Sequence, residues 1–341
     1  MAGRPQARPR RADAGDAATV PGVVALLGPT GAGKSALAQQ AAERARRGGV
    51  AVEIVAVDAF TVYRDMDVGT AKPDAAARQR VPHHVIDVLP PHQDCTAQWF
   101  QAVARAAVAD VRRRGAVPLL VGGSGLYWRA VVDPLEFPPT DAAVRRALEA
   151  RYRDHPPAAH AALARADPAA AERIDPGNLR RSVRALEVVA LTGGPFSAWR
   201  TAWETHESVF DHLSVVGLHT DPDELAGHIA ARAAAMVDAG LLAEARALAT
   251  RPHGLSGTAR QAIGYAEALA TLAGRRAHQG LVEAIAARTR RFAARQRRWF
   301  AADPRVRWHE AQPARGALLA ALTAAATSQE PTLQSRPPSS S

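Results

Sequence analysis

Eight residues in a row, Gly28-Pro29-Thr30-Gly31-Ala32-Gly33-Lys34-Ser35, carry the clearest chemical signal in this chain. They follow the apolar run 22–27 and open a helix-forming stretch, the strand–loop–helix setting of a phosphate-binding loop. Glycine lets successive backbone N–H groups turn inward around a diphosphate, and the helix N-terminus adds a favourable dipole. Lys34 would reach the outer phosphate oxygens and Ser35 would ligate Mg²⁺, the implied cofactor. All eight residues are candidate diphosphate- or nucleotide-binding positions, and the pattern leaves open which diphosphate is bound. A hydrolysing NTPase usually adds an acid at the end of a neighbouring strand to hold metal and position water. Here the apolar run 117–121 ends in Gly122-Gly123-Ser124-Gly125-Leu126-Tyr127, and the strand-end acid is Asp58. Asp58 is suited to hold metal or to act as a general base.

Of 43 basic residues only two are lysines, Lys34 and Lys72. Lysine is a compact charge with rotatable donors and arginine a planar fork, so both lysine sites are candidates for chemistry that needs a point charge. The formal net charge of +10 points to a polyanionic partner, nucleic acid first, against the plainer reading of solvated basic faces. A single cysteine, Cys95, excludes an internal disulfide, fits a reducing cytosol and reads as a small buried hydrophobe. The chain lacks a run of eighteen apolar residues and an apolar secretory region, so no membrane span or export is expected and a cytoplasmic location is.

These residues need a scaffold. Apolar runs at 22–27, 52–57, 85–88 and 117–121 read as strands, with helices at 35–47 and 98–114 between them. That alternation predicts an α/β fold, a parallel sheet of the P-loop NTPase type flanked by helices. From 140 to about 203 strand signals stop, and helical stretches at 142–153, 168–173 and 179–191 predict an all-helical insertion. Strand character resumes at 213–218. Long helices are expected at 223–248, 259–273 and 280–300, with a last short strand at 305–308. The expected organisation is a disordered basic tail (1–20), a first core part (21–138), the insertion (139–208), a second core part (209–312) and a largely disordered tail (313–341).

Taken together, the motifs resemble the tRNA dimethylallyltransferase family. The resemblance rests on the glycine loop, Asp58-Ala59-Phe60-Thr61-Val62-Tyr63, Asp67-Val68-Gly69-Thr70-Ala71-Lys72 and the Gly122 to Tyr127 turn. It continues through Arg181, Arg184-Ala185-Leu186-Glu187-Val188 and Thr192-Gly193 to Ile263-Gly264-Tyr265, Thr289-Arg290, Arg295-Gln296 and Trp299-Phe300. It implies transfer of a dimethylallyl group from dimethylallyl diphosphate to the exocyclic amine of the adenine 3′ of a tRNA anticodon. Diphosphate is then the leaving group, so the missing water-positioning acid is no loss. The resemblance gives Asp58 the proton from the amine, and Ser124 and Arg232 the charge developing on the diphosphate. The adenine would be flipped out of its loop. Expected contacts to the tRNA anticodon stem-loop are Asp58, Ala59, Phe60, Thr61, Arg180, Arg181, Arg184, Gln261, Gly264, Tyr265, Arg288, Arg291, Arg295 and Arg298, and the expected state is a monomer.

The chain departs from the family pattern at Ala59, Thr61, Gly177, Asn178, Ala266 and Ala294. His83, His84 and His92 lack metal-ligand spacing and read as structural. Three other functions share some of these features. A dimethylallyltransferase acting on AMP or ATP would not need the insertion and the arginine-rich last helix. A small-molecule P-loop kinase would share the loop and sheet. A non-catalytic basic RNA-binding protein would not need an intact Lys34, Asp58 and Arg232.

Overall fold

In the computed structural model, residues 20–327 except 204 are described. In chain order the elements are β1 (Val23–Leu27), α1 (Lys34–Arg47), β2 (Val52–Val57), α2 (Ala75–Arg80), β3 (His83–His84), α3 (Ala97–Arg113), β4 (Val117–Gly122) and α4 (Gly125–Val132). The insertion contributes α5 (Ala142–Tyr152), α6 (Pro156–Ala166), α7 (Pro168–Ala171) and α8 (Leu179–Thr192). The chain then returns through β5 (Leu213–Leu218), α9 (Pro222–Asp238), α10 (Leu241–Ala249), α11 (Tyr265–Leu272), α12 (Leu281–Ala301), β6 (Arg307–His309) and α13 (Ala311–Ala326).

The six strands form one parallel sheet in the order β3-β2-β4-β1-β5-β6. Side chains alternate across it. Val24, Leu26, Ile54 and Leu119 meet Ala38, Ala41 and Ala45 of α1 and Leu318 and Leu322 of α13 on one face. Val23, Ala25, Leu27, Val55, Val57 and Leu120 meet Phe100, Trp128, Ile229, Ile285 and Phe300 on the other. Because β4 lies between β1 and β2, their C-terminal ends bring Gly28, Gly123 and Asp58 to one edge. Ligands of open α/β sheets bind outside such an edge.

Several expected elements shift. The third strand is His83–His84, not 85–88, because Val85 and Asp87 adopt φ +63° and +58° and leave the extended region. The expected helix 223–248 is two helices bent by 60°, with Gly240 at φ +95° between them. The stretch 259–273 breaks at Gly264 (φ +96°), leaving a short 3₁₀ turn before α11. The last strand starts at Arg307, two residues later than expected. Residues 313–326 are not a disordered tail: α13 buries Ala314, Leu318 and Leu322 against the sheet and α1. The remainder of that tail, 328–341, and the N-terminal residues 1–19 lie outside the described residues. Among the described residues no single helix is long and apolar enough to cross a membrane.

The insertion has a small core of its own, Leu163, Ala170, Ala171, Ile174 and Ala185. Its root is an ion cluster. Arg305 bridges Asp133 and Asp303 at 2.6 and 2.7 Å, Asp303 accepts from the Trp128 indole at 3.0 Å, and Arg129 pairs with Asp133 while donating to the carbonyls of Trp203 and Thr205. Asp133 precedes the insertion and Thr205 lies near its C-terminal end, so one set of charges ties both ends to the core.

Gly122 is needed where β4 meets β2: a Cβ there would lie 2.4 Å from the Val57 carbonyl oxygen and 2.7 Å from Val57 Cβ. A Gly122→Ala variant is expected to lose roughly 1–3 kcal/mol of stability in denaturant unfolding, through overpacking beside Asp58. Wild-type stability would contradict so close an approach.

Candidate active site

The loop after β1 turns through Gly31 (φ +87°) and Gly33 (φ +84°), and both values favour glycine. Gly33 flanks α1, and the Lys34 ammonium folds back to donate to the Pro29 carbonyl at 2.7 Å. Gln296 of α12 stitches two strand ends together. Its Oε1 accepts from Thr30 N at 2.8 Å and its Nε2 donates to the Gly123 carbonyl at 2.5 Å. That approach requires glycine at 123, where a Cβ would sit 2.6 Å from Gln296 Nε2 and 3.1 Å from the Gly28 oxygen. Gln296 was missed as a site residue. Its signal was the spacing Ile285, Thr289, Phe292, Gln296, Trp299, one face of a helix.

Two compartments open at this edge. The cleft that holds the charged and hydroxyl groups, here the polar cleft, is walled by Gly31, Gly33, Lys34, Ser35, Gln39, Thr61, Gly122, Gly123, His228 and Gln296, together with the apolar Ile54, Ala56, Ile86 and Val121. The second compartment is mainly apolar, with Phe60, Ile229, Ala233, Met236, Ala262, Ile263, Ile285 and Phe292 in its wall. Thr30, Asp58, Thr70 and Arg232 line both, and so mark the boundary. The apolar residues come from four separate segments and had no pattern of their own in the sequence.

Charge at the boundary is unbalanced. Burial, and then the neighbouring Arg232 guanidinium, lower Lys34 from its ordinary 10.5 to about 7, against the opposing pull of Asp58. Burial likewise lowers Arg232, and Asp58 again opposes it. Asp58 Oδ1 accepts from the Phe60 and Thr61 N–H groups at 2.8 and 3.3 Å, a turn that holds the carboxylate at the end of β2. Two cations beside one carboxylate make a site that favours an incoming anion.

Lys72 has a structural task. Its ammonium is buried and donates to the Tyr63 carbonyl, Asp67 and Asp87 at 2.5, 2.7 and 2.5 Å, closing the loop that follows Asp58. Glu244 braces the same loop, accepting from Asp67 N, Val68 N and the Tyr265 hydroxyl at 3.0, 3.1 and 2.5 Å. Beneath it the Tyr63 hydroxyl bonds Thr258 at 2.6 Å and accepts from Cys95 N at 3.0 Å. Cys95 is buried, and that burial pushes its thiol up to about 12.

The expected RNA contacts divide. Tyr265 is corrected to a packing residue: it is fully buried, its hydroxyl is spent on Glu244, and its ring covers Gly69, where a Cβ would lie 2.3 Å away. Gly264 is buried too, its N–H bonded to Glu267 at 2.8 Å. Arg184 is held by Glu187 and the carbonyls of Pro138 and Pro139 at 2.8–2.9 Å. Arg288 is held by Glu267 and the Gln261 carbonyl at 2.9 and 2.7 Å. Both are therefore committed to the protein. Arg180 reaches across to the Gln261 side chain at 3.3 Å, linking insertion to core. Arg181, Arg291, Arg295 and Arg298 are exposed, Arg295 lying over the Phe292 ring at 5.7 Å. Phe60 lines the apolar compartment, and Ala59 is half-buried beside it. Thr61 lines the polar cleft with its buried hydroxyl unpartnered among the described residues. Ser124 flanks the start of α4, one residue beyond the cleft-lining Gly123. His84 pairs with Glu53 at 2.6 Å, His83 Nδ1 meets the Val81 carbonyl at 2.8 Å, and His92 packs against His253 with the rings tilted by 46°.

Two outcomes follow from this geometry. Lys72→Met leaves Asp87 and the Tyr63 carbonyl without their buried partner, so roughly 2–4 kcal/mol of stability should be lost, read from denaturant midpoints. Lys34 carries a pH signature. Its folded value lies below its unfolded value, so between pH 10.5 and about 7 the unfolded chain binds a proton that the folded, ligand-free chain does not. Stability of the wild type relative to Lys34→Met should therefore fall as pH is lowered across that window and level off below it. A flat difference would mean that Lys34 is not strained.

The sequence profile of the IPP transferase family matches residues 61–303. The tRNA dimethylallyltransferase of Salinispora arenicola is 48% identical over 293 residues, spanning 84% of this chain and 81% of that protein. That of Acidothermus cellulolyticus is 46% identical over 321 residues, 92% of this chain and 95% of the other. Among solved structures, the tRNA isopentenylpyrophosphate transferase of Bacillus halodurans superposes with a TM-score of 0.62 at 32% identity, over 89% of this chain and 96% of that one. A eukaryotic dimethylallyltransferase captured acting on tRNA gives 0.70 at 25% identity, over 84% and 73%. With a family profile covering most of its core and relatives matched nearly end to end, the chain belongs to the IPP transferase family.

Proposed function

We propose that this protein transfers a dimethylallyl group from dimethylallyl diphosphate to the exocyclic amine of the adenine 3′ of the anticodon in tRNA. The observation that carries the reading is the shared boundary. A donor with an anionic head and a short apolar tail spans the polar cleft and the apolar compartment, and its C–O bond then falls among Thr30, Asp58, Thr70 and Arg232. The allylic C–O bond breaks with its electron pair leaving on diphosphate, and the amine nitrogen forms the new bond to carbon. Asp58 takes the amine proton; Oδ1 is held by two backbone N–H groups, so Oδ2 is the oxygen we assign as base. Loop N–H groups, Lys34 and Arg232 meet the charge that grows on the departing diphosphate. Diphosphate restores the charge balance that the ligand-free site lacks, and Lys34 then holds its proton.

The donor set at the cleft, the Ser35 hydroxyl with diphosphate oxygens, fits Mg²⁺, a hard cation that prefers oxygen. When bound it would supply further neutralisation of the diphosphate. RNA is gripped by the exposed Arg181, Arg291, Arg295 and Arg298. The same reading takes the protein as a cytoplasmic monomer.

The deciding assay is incubation with labelled dimethylallyl diphosphate and unmodified tRNA bearing an adenine 3′ of the anticodon. Label is expected in RNA; label in AMP instead would favour the free-nucleotide acceptor. Asp58→Asn should lower kcat roughly 10²–10⁴-fold, and full activity would refute the general-base role. Affinity for tRNA should fall steeply with added salt, with a shallower slope after Arg291 and Arg298 are replaced together by alanine.

A further inference from the structure

We propose that His228 is an additional ligand for the diphosphate and grips its outer phosphate. The inference rests on the prenyl-transfer reading, since it names a further residue of the same site. His228 stands four residues before Arg232 on α9, so both project from one face of the helix. That face is fixed against the phosphate loop by Leu225 and Ile229, the side chains that a Cβ at Gly31 would meet at 3.2 and 2.9 Å. His228 shares the polar cleft with Lys34 and Ser35.

Position along the cleft assigns the role. Arg232 lines both compartments and so stands at the ester end of the diphosphate, where the C–O bond breaks. His228 lines only the polar one, one helical turn further from the boundary, which places it toward the terminal phosphate. Among the described residues its imidazole makes one contact with a charged group, and that is loose. The neighbouring carboxylate, Glu224, lies 3.8 Å away with both side chains more than half exposed, a weak association. An imidazole N–H donates to a phosphate oxygen in either protonation state, and adds charge when protonated.

The test is calorimetric titration of the whole protein with inorganic diphosphate and Mg²⁺, for wild type, His228→Ala and His228→Arg, alongside KM for each substrate. His228→Ala should weaken diphosphate binding and raise KM for dimethylallyl diphosphate about 10-fold, with KM for RNA unaltered. His228→Arg should restore tight binding, since it returns a donor and a charge to the same turn. Unchanged diphosphate affinity in His228→Ala, no rescue by arginine, or a rise confined to KM for RNA would each overturn the assignment. A wild type that binds no diphosphate would instead overturn the reading on which it rests.

Discussion

Two cations and one carboxylate enclosed at the end of a parallel sheet form the constraint around which this molecule is arranged. Lys34 and Arg232 repel each other where water is too scarce to screen them, and Asp58 offsets only part of that. Such a cluster persists only if packing elsewhere holds it. Leu225 and Ile229 press α9 against the phosphate loop, Gln296 ties the loop to the end of β4, and Gly122 brings β4 close to Val57 beside Asp58. An incoming anion relieves that repulsion, so the cost of the empty site and its preference for anions have one electrostatic origin.

Around this centre lies a layer that touches no proposed substrate and still determines the site. The loop after Asp58 carries Asp65 and Ala71 at positive φ before α2, and Val85 and Asp87 adopt positive φ after β3. Lys72 and Glu244 hold that loop with bonds to backbone and carboxylates, and Tyr63, Thr258 and Cys95 hold it from below. The Arg129–Asp133–Arg305–Asp303 cluster performs the same service at the root of the insertion. Buried polar networks of this kind contribute rigidity only when their members are satisfied.

Much of the architecture was legible in the residues. The glycine loop, the strand-end Asp58 and the alternation of apolar runs with helical spacing identify the sheet, the cleft at its C-terminal edge and the helical stretch after β4. Where the reading slipped, a backbone reason is visible: Val85 and Asp87 left the extended region, and Gly240 and Gly264 interrupted helices whose hydrophobic spacing continued past them. The helix α13 was hidden by composition, because its alanine-rich apolar face resembles a tail until it is set against α1. Arginine was harder. A basic side chain looks the same in sequence whether it holds Glu187, as Arg184 does, or points into solvent, as Arg291 does.

The sequence alone determined the local chemistry, because backbone turns, helix starts and strand patterns depend on residues near one another in the chain: glycines for the phosphate loop, Lys34 and Ser35 at its helix, Asp58 at its strand end. Tertiary structure alone decided which distant groups share a space. Gln296 meets Thr30 and Gly123, Arg232 meets Asp58, and Lys72 turns inward to carboxylates rather than outward to phosphate. Those pairings are set by the strand order β2-β4-β1 and by how the later helices pack over it, and no spacing along the chain encodes them.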